Sequence, residues 1–137
     1  MIRPRRSLLF MPGSNARALE KARTLPVDGV ILDLEDAVAP DAKATARDNI
    51  AQAVLARGFG KREVLIRVNA LDSPWWIDDV TMAGKARPDG ILVPKISSVQ
   101  DLTAITFERV GRKACSRRRP MVSGGIQWRH PCPFRRS

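Results

Sequence analysis

The first hundred residues of this chain repeat one arrangement: a short apolar run, a turn signal, then a stretch with helical spacing. SLLFM (7–11) reads as a strand closed by Pro12–Gly13, with Ser14 or Asn15 placed to cap a helix reaching about Leu25. GVILDL (29–34) is the second strand, and Pro40 suits the first turn of a helix running to Arg57, with Ala46, Ile50 and Val54 at four-residue spacing. EVLIRVN (63–69) is the third; Ser73 then caps and Pro74 opens a helix to about Ala86, with Trp76, Val80 and Ala83 on one face. GILVPK (90–95) is the fourth, with Ser97 or Ser98 placed to cap another helix. Strands that alternate with helices over short connections predict an α/β fold with a parallel sheet.

Side chains alternate along a strand. Val30, Leu32 and Leu34 therefore share one face, and Ile31, Asp33 and Glu35 the other. Val64, Ile66 and Val68 likewise oppose Leu65, Arg67 and Asn69, while Ile91, Val93 and Lys95 fall together. Each strand has an apolar face for helices and turns polar at its C-terminal end, where parallel α/β folds bind ligands. An unpaired buried carboxylate is costly. The acids of DLED (33–36) must then reach solvent, a cation or a metal, and a rim shared with Arg67, Asn69 and Lys95 answers that need.

Each residue also has a plainer reading. Asp33 or Glu35 can form a structural ion pair with Arg67, and Asp36 and Asp41 can simply favour the positive end of the next helix. Arg67 is harder to explain without an anion, because it sits inside a β-branched strand. Lys95 is open to either reading. FMPGSN (10–15) can offer backbone N–H groups at a helix start to an anion. Trp75–Trp76 suits core packing better than ligand stacking.

The net charge of +10 invites a nucleic-acid reading until it is located. Residues 1–102 hold 15 Lys and Arg against 13 Asp and Glu, whereas residues 103–137 hold 9 against one. The basicity belongs to the last 35 residues, which have no sustained period, and we expect them to pack poorly. His130 and Cys132 have no second ligand pair at zinc spacing, and Cys115 and Cys132 make no disulfide framework. The apolar run near the N-terminus is too short for a signal peptide, and none is long enough to span a bilayer, so a cytoplasmic protein is expected.

RSLLFMPG, DGVILDLEDAVAPDAK, REVLIRVNALDSPWWIDDV and DGILVPKISSVQDL resemble, in order and spacing, the motifs of the HpcH/HpaI aldolase and citrate lyase family, nearest to citrate lyase beta subunit-like proteins. The resemblance covers about residues 3–102. It implies the N-terminal half, four β/α units, of a TIM (β/α)8 barrel. It also implies a Mg2+-dependent carbon–carbon lyase that splits a 3-hydroxyacyl thioester of the citryl-CoA or malyl-CoA type into a 2-oxo acid and an acetyl thioester. Carried over by motif, Arg67 would bind substrate and stabilise developing charge; strand alternation, not the motif, sets Asn69 and Lys95 beside it as substrate-binding candidates. Glu35 and Asp36 would line the metal site through water, and Arg6 and Phe10 would lie near the CoA or carrier arm. In the family the direct metal ligands follow the fourth unit.

Such a barrel typically takes about 250 residues. The resemblance stops near Leu102, and the change of texture there matches a shifted reading frame, so a truncated or frameshifted, inactive product is expected. A half barrel leaves two strand edges unpaired. The family resemblance implies an acyl-CoA or acyl-carrier partner and a homo-oligomer. The competing class is a small α/β binding module whose tail binds nucleic acid.

Overall fold

The computed structural model describes residues 5–107 and 121–122, and the remaining residues of the basic tail, including His130 and both cysteines, lie outside that set. Strands β1 (Leu8–Pro12), β2 (Gly29–Asp33), β3 (Glu63–Arg67) and β4 (Gly90–Val93) alternate with helices α1 (Ala16–Ala22), α2 (Lys43–Leu55), α3 (Trp76–Ala86) and α4 (Val99–Phe107). A two-residue β5 (Met121–Val122) follows. All pairings are parallel, in the order β1-β2-β3-β4-β5. Neighbours in space are thus neighbours in sequence, with no reversal point among the described strands. A doubly wound sheet reverses its strand order and a β/α barrel does not. The described strands form part of a barrel wall.

The predicted alternation holds. Val30, Leu32 and Leu34 on β2 and just beyond it, with Val64, Ile66 and Val68 on β3 and just beyond it, join Leu19, Ile50 and Trp76 in one core between sheet and helices. Leu32, Leu34, Ile50 and Ile66 are fully buried, each contributing roughly 1.5–3 kcal/mol. The other face carries Ile31 and Leu65 in register, then Asp33 opposite Arg67. Phe10 on β1 is 49% exposed on that open side. Helix α2 packs against both α1 and α3.

Gly13 sits where β1 turns into α1. Its N–H donates to the Asp33 carbonyl at 2.9 Å, and a Cβ there would stand 2.6 Å from Ile50 Cδ1 and 2.9 Å from that same carbonyl oxygen. Asn15 caps α1, its Oδ1 accepting from the Ala18 N–H at 3.0 Å. At α4, Ser98 Oγ accepts from the Asp101 N–H, and the Asp101 carboxylate accepts from the Ser97 and Ser98 N–H groups, a reciprocal capping box.

Several expectations are corrected. Helix α1 ends at Ala22 rather than near Leu25, because Thr24 tightens the last turn onto the Lys21 carbonyl and Pro26 disfavours helical backbone at Leu25. Pro40–Ala42 form a single 3-10 turn and the α-helix starts at Lys43. Ser73 does not cap α3: its buried Oγ has no hydrogen-bond partner, and the helix starts at Trp76 without a side-chain cap. Helix α4 runs past Leu102 to Phe107, and Met121 and Val122, inside the segment expected to be irregular, pair with Leu92 and Val93. An unpaired edge of a parallel sheet accepts any short apolar pair that can reach it.

Candidate functional site

Strand ends β2 and β3 deliver the central pair. Asp33, inaccessible to solvent, accepts from Arg67 Nε at 2.8 Å and Nη2 at 2.6 Å. It also accepts from the N–H groups of Glu35 and Ala37, so one carboxylate fixes both the guanidinium and the turn after β2. Burial pushes the Asp33 carboxyl up, but the Arg67 hydrogen bonds, the two N–H donors and the Arg67 charge outweigh it and hold it below the usual carboxylate range. Arg67 is raised in turn, chiefly by Asp33.

The remaining edge of Arg67 faces the mouth. Its Nη1 lies 3.1 Å from Glu35 Oε2 and 3.4 Å from Asp36 Oδ2, and its Cζ stands 5.0 Å from the centre of the Phe10 ring. Lys95 Nζ is 3.0 Å from Glu35 Oε1, an ion pair without hydrogen-bond alignment, since that buried oxygen has no hydrogen-bond partner. Three carboxylates thus meet two cations. An incoming anion that takes Nη1 must displace Glu35 or Asp36.

Behind this mouth lies a buried polar chain that the sequence did not reveal. Lys43 Nζ donates to the carbonyls of Leu34 and Glu35 at 2.6 and 2.7 Å and to Asn69 Oδ1 at 2.7 Å. Asn69 donates to the Leu34 carbonyl and to Asp79, which Arg47 pairs from α2 at 3.2 Å. Desolvation lowers the Lys43 pKa, with Asp79, Asp33 and Glu35 acting against the shift. One signal was available: Lys43 opens a helix, the end where a cation is disfavoured, so it needed other partners. Lys43 also sits 5.0 Å above the Trp75 ring. The two tryptophans divide, Trp76 entering the core and Trp75 lining a cleft of about 290 Å³ with Glu35, Asp36, Lys43, Asn69 and Lys95.

Of the expected site residues, Arg67, Glu35, Asp36, Lys95 and Phe10 come together. Asn69 is close, but its side chain is committed to Lys43, Leu34 and Asp79. The period-two argument for it fails because β3 ends at Arg67. Lys95 reaches Glu35 by leaving the strand: β4 ends at Val93 and Lys95 has φ 56. Arg6 stands at the other end of the sheet, paired with Asp28 ahead of β2 at 3.0 Å. The Gly13 N–H, offered as an anion donor, is taken by Asp33.

Parallel strands in sequential order, with charge gathered at their C-terminal ends, define a β/α-barrel-type domain with a polar rim. The chain belongs to the HpcH/HpaI aldolase/citrate lyase family, matching it over residues 6–118, past the last motif near residue 102. A (3S)-malyl-CoA thioesterase of Cereibacter sphaeroides is 46% identical over 102 residues, which are 74% of this chain and 36% of that protein. An L-malyl-CoA/beta-methylmalyl-CoA lyase of the same species is 44% identical over 107 residues, 75% of this chain and 33% of the lyase. The chain thus spans about a third of the curated relatives it matches. Among solved structures, RipC from Yersinia pestis superposes with TM-score 0.59 at 25% identity, covering 85% of this chain and 45% of RipC. The citrate lyase beta subunit of M. tuberculosis, complexed with oxaloacetate and magnesium, gives 0.63 at 24%, over 86% and 48%.

Glu35 and Asp36 are both engaged by Arg67, and among the described residues no group of three His, Cys, Asp or Glu side chains is placed to hold a metal ion. They do not make a magnesium site by themselves.

Proposed function

We propose that this rim is the anion-binding wall of a carbon–carbon lyase site acting on a 3-hydroxyacyl thioester of the malyl-CoA or citryl-CoA type. One observation carries the reading: buried Asp33 grips two donors of Arg67 and leaves Nη1 turned to the mouth. The malyl-CoA names of the relatives support the substrate class. In the cleavage the 3-hydroxyl loses its proton and becomes the carbonyl of the oxo acid. The bond from C2 to C3 breaks, its electron pair passes to the thioester as an enolate, and a proton returned to C2 completes the acetyl thioester. Arg67 would hold the carboxylate or carbonyl oxygen of the oxo-acid half, a fixed donor where negative charge must sit. Lys95 is a second cation for the same group, and Phe10 covers the guanidinium.

Catalysis is assigned to an assembled barrel, since the described strands form one open wall. Mg2+ belongs to that proposal, supported by the neighbour complexed with it, and requires carboxylates beyond the described set. So do homo-oligomerisation and a cytoplasmic setting; no described helix is long and apolar enough to cross a membrane. The nucleic-acid alternative rests on the tail, outside the described residues.

A chimera tests the reading: residues 1–102 joined to the remainder of the L-malyl-CoA/beta-methylmalyl-CoA lyase. Given malyl-CoA and Mg2+, it should release the 2-oxo acid, and Arg67→Ala should cut kcat by about 10²–10³. A folded chimera equally active without Arg67 refutes the assignment. The relative at 46% identity favours a second reading, thioester hydrolysis, which would release malate and CoA instead.

A further inference from the structure

At the opposite end of the strands, the loops that follow α2 and α3 enclose a second cleft, of about 210 Å³. Arg57, Arg62 and Arg87 line it, with Asp89 as the acid among its lining residues. The first two belong to RGFGKR (57–62), a basic stretch with glycines at Gly58 and Gly60, both at positive φ.

Arg57 and Arg87 each follow a helix and each has φ 57, the left-handed conformation that helix ends normally give to glycine. A side chain there is disfavoured, yet both loops place an arginine at that point, on walls of the same cleft. Arg62 is held by main chain: Nε donates to the Leu25 carbonyl at 2.7 Å and Nη1 to the Phe59 carbonyl at 3.2 Å. The Asp89 carboxylate accepts from the Val64 N–H at 3.0 Å. Among the described residues, no carboxylate forms an ion pair with any of the three arginines.

A cation near a helix C-terminus is ordinary, which accounts for Arg57 and Arg87 singly. It does not account for their sharing one concavity with Arg62, which precedes a strand. Like charges gathered in a cleft raise its potential and concentrate anions, and guanidinium forks match phosphate oxygens. We propose that this cleft binds a phosphoryl dianion, as inorganic phosphate or a small phosphomonoester. The site is separate from the Arg67 rim and independent of the lyase reading.

The test is calorimetric titration of the full chain with inorganic phosphate, and separately with glycerol 3-phosphate, at ionic strength matched with chloride. Saturable binding is expected; the arm that binds more tightly distinguishes free phosphate from an ester. Arg57→Gly and Arg87→Gly should each weaken binding about tenfold, while Lys21→Gln on α1 leaves it unchanged. Glycine suits the left-handed backbone, so both variants should keep their far-ultraviolet circular dichroism. If either unfolds, Arg57→Asn and Arg87→Asn, also tolerant of that conformation, give the same reading. Absence of saturable binding, wild-type affinity in the folded variants, or loss of binding on Lys95→Gln, at the exposed edge of the other rim, would each overturn the proposal.

Discussion

Asp33 and Arg67 are register partners on adjacent parallel strands, and their side chains meet in a two-pronged hydrogen-bonded pair, 2.8 and 2.6 Å, with Asp33 wholly buried. The pair ties β2 to β3 at the point where the open face turns from apolar to charged. Arg67→Ala would leave a buried carboxylate without its cation, and the expected loss of stability is about 3–5 kcal/mol. Arg67→Lys keeps the charge but loses the fork, and should recover only part of that loss. Urea unfolding measures both; a change below about 1 kcal/mol for the alanine variant would show that the pair does not hold the strands.

The same pair gives the fold a defined sensitivity to acid. Asp33 is depressed below its ordinary value, and Asp28, hydrogen-bonded by the Arg6 side chain and main chain, lies at about 2. A carboxyl whose folded value is lowered contributes stability that is complete above its unfolded value near ~4 and is lost as pH falls through the folded one. Unfolding midpoints should therefore hold steady from about pH 7 to 5 and fall between about pH 4 and 2. Asp33→Asn should flatten part of that fall. A midpoint independent of pH across this window would contradict the assignment.

Lys43 makes a prediction of a different kind, because its three acceptors are main chain or amide rather than carboxylate. Lys43→Met keeps the length of the stem and its contact with Trp75 but strands the Asn69 amide oxygen, while the Leu34 carbonyl keeps the Asn69 amide N–H and the Glu35 carbonyl keeps the Val38 N–H. That one unsatisfied oxygen costs about 1–3 kcal/mol when buried, and the two carbonyls each lose a charged donor, offset in part by no longer burying a charge. A net loss of about 1–3 kcal/mol is expected, read from thermal or urea unfolding. Its local signature is faster amide exchange at Glu35 and Ala37, whose N–H groups depend on the turn that Lys43 anchors. Unchanged exchange there would mean that Lys43 does not support the acidic turn.

What could be read in advance follows from where the information resides. The alternation of Val30, Leu32 and Leu34 against Ile31 and Asp33 is local, so the faces, the helix side and the charged rim were legible, as was the meeting of Arg67 with its acids. Helix limits were less so, because Thr24 and Pro26 decide where α1 stops and the buried Ser73 leaves α3 without a side-chain cap. Asn69 and Lys95 mark where the strand argument expires: both lie beyond the last paired residue, and backbone geometry there, not period two, directs the side chain. The chain Arg47–Asp79–Asn69–Lys43 joins residues of α2 and α3 to the end of β3. No spacing within one element encodes such a connection.

Gly13 links packing to the site most directly. Its backbone passes so close to β2 that a methyl group would meet both Ile50 Cδ1, at 2.6 Å, and the Asp33 carbonyl oxygen, at 2.9 Å. Ile50 can rotate away, but the carbonyl belongs to a strand buried on both faces and cannot move without its neighbours. Gly13→Ala should therefore destabilise the fold by about 1–3 kcal/mol, the usual penalty of overpacking. It should also lengthen the Gly13 N–H contact with Asp33 and tilt the carboxylate that orients Arg67. Relief should come from the side that can yield: adding Ile50→Val to Gly13→Ala removes one clash and should restore about half of the lost stability. The carbonyl contact would persist, leaving the Arg67 side-chain NMR signals displaced. Full recovery of both stability and signals by Ile50→Val would show that the clash lies with the side chain alone, and that Gly13 has no grip on the acid–arginine pair.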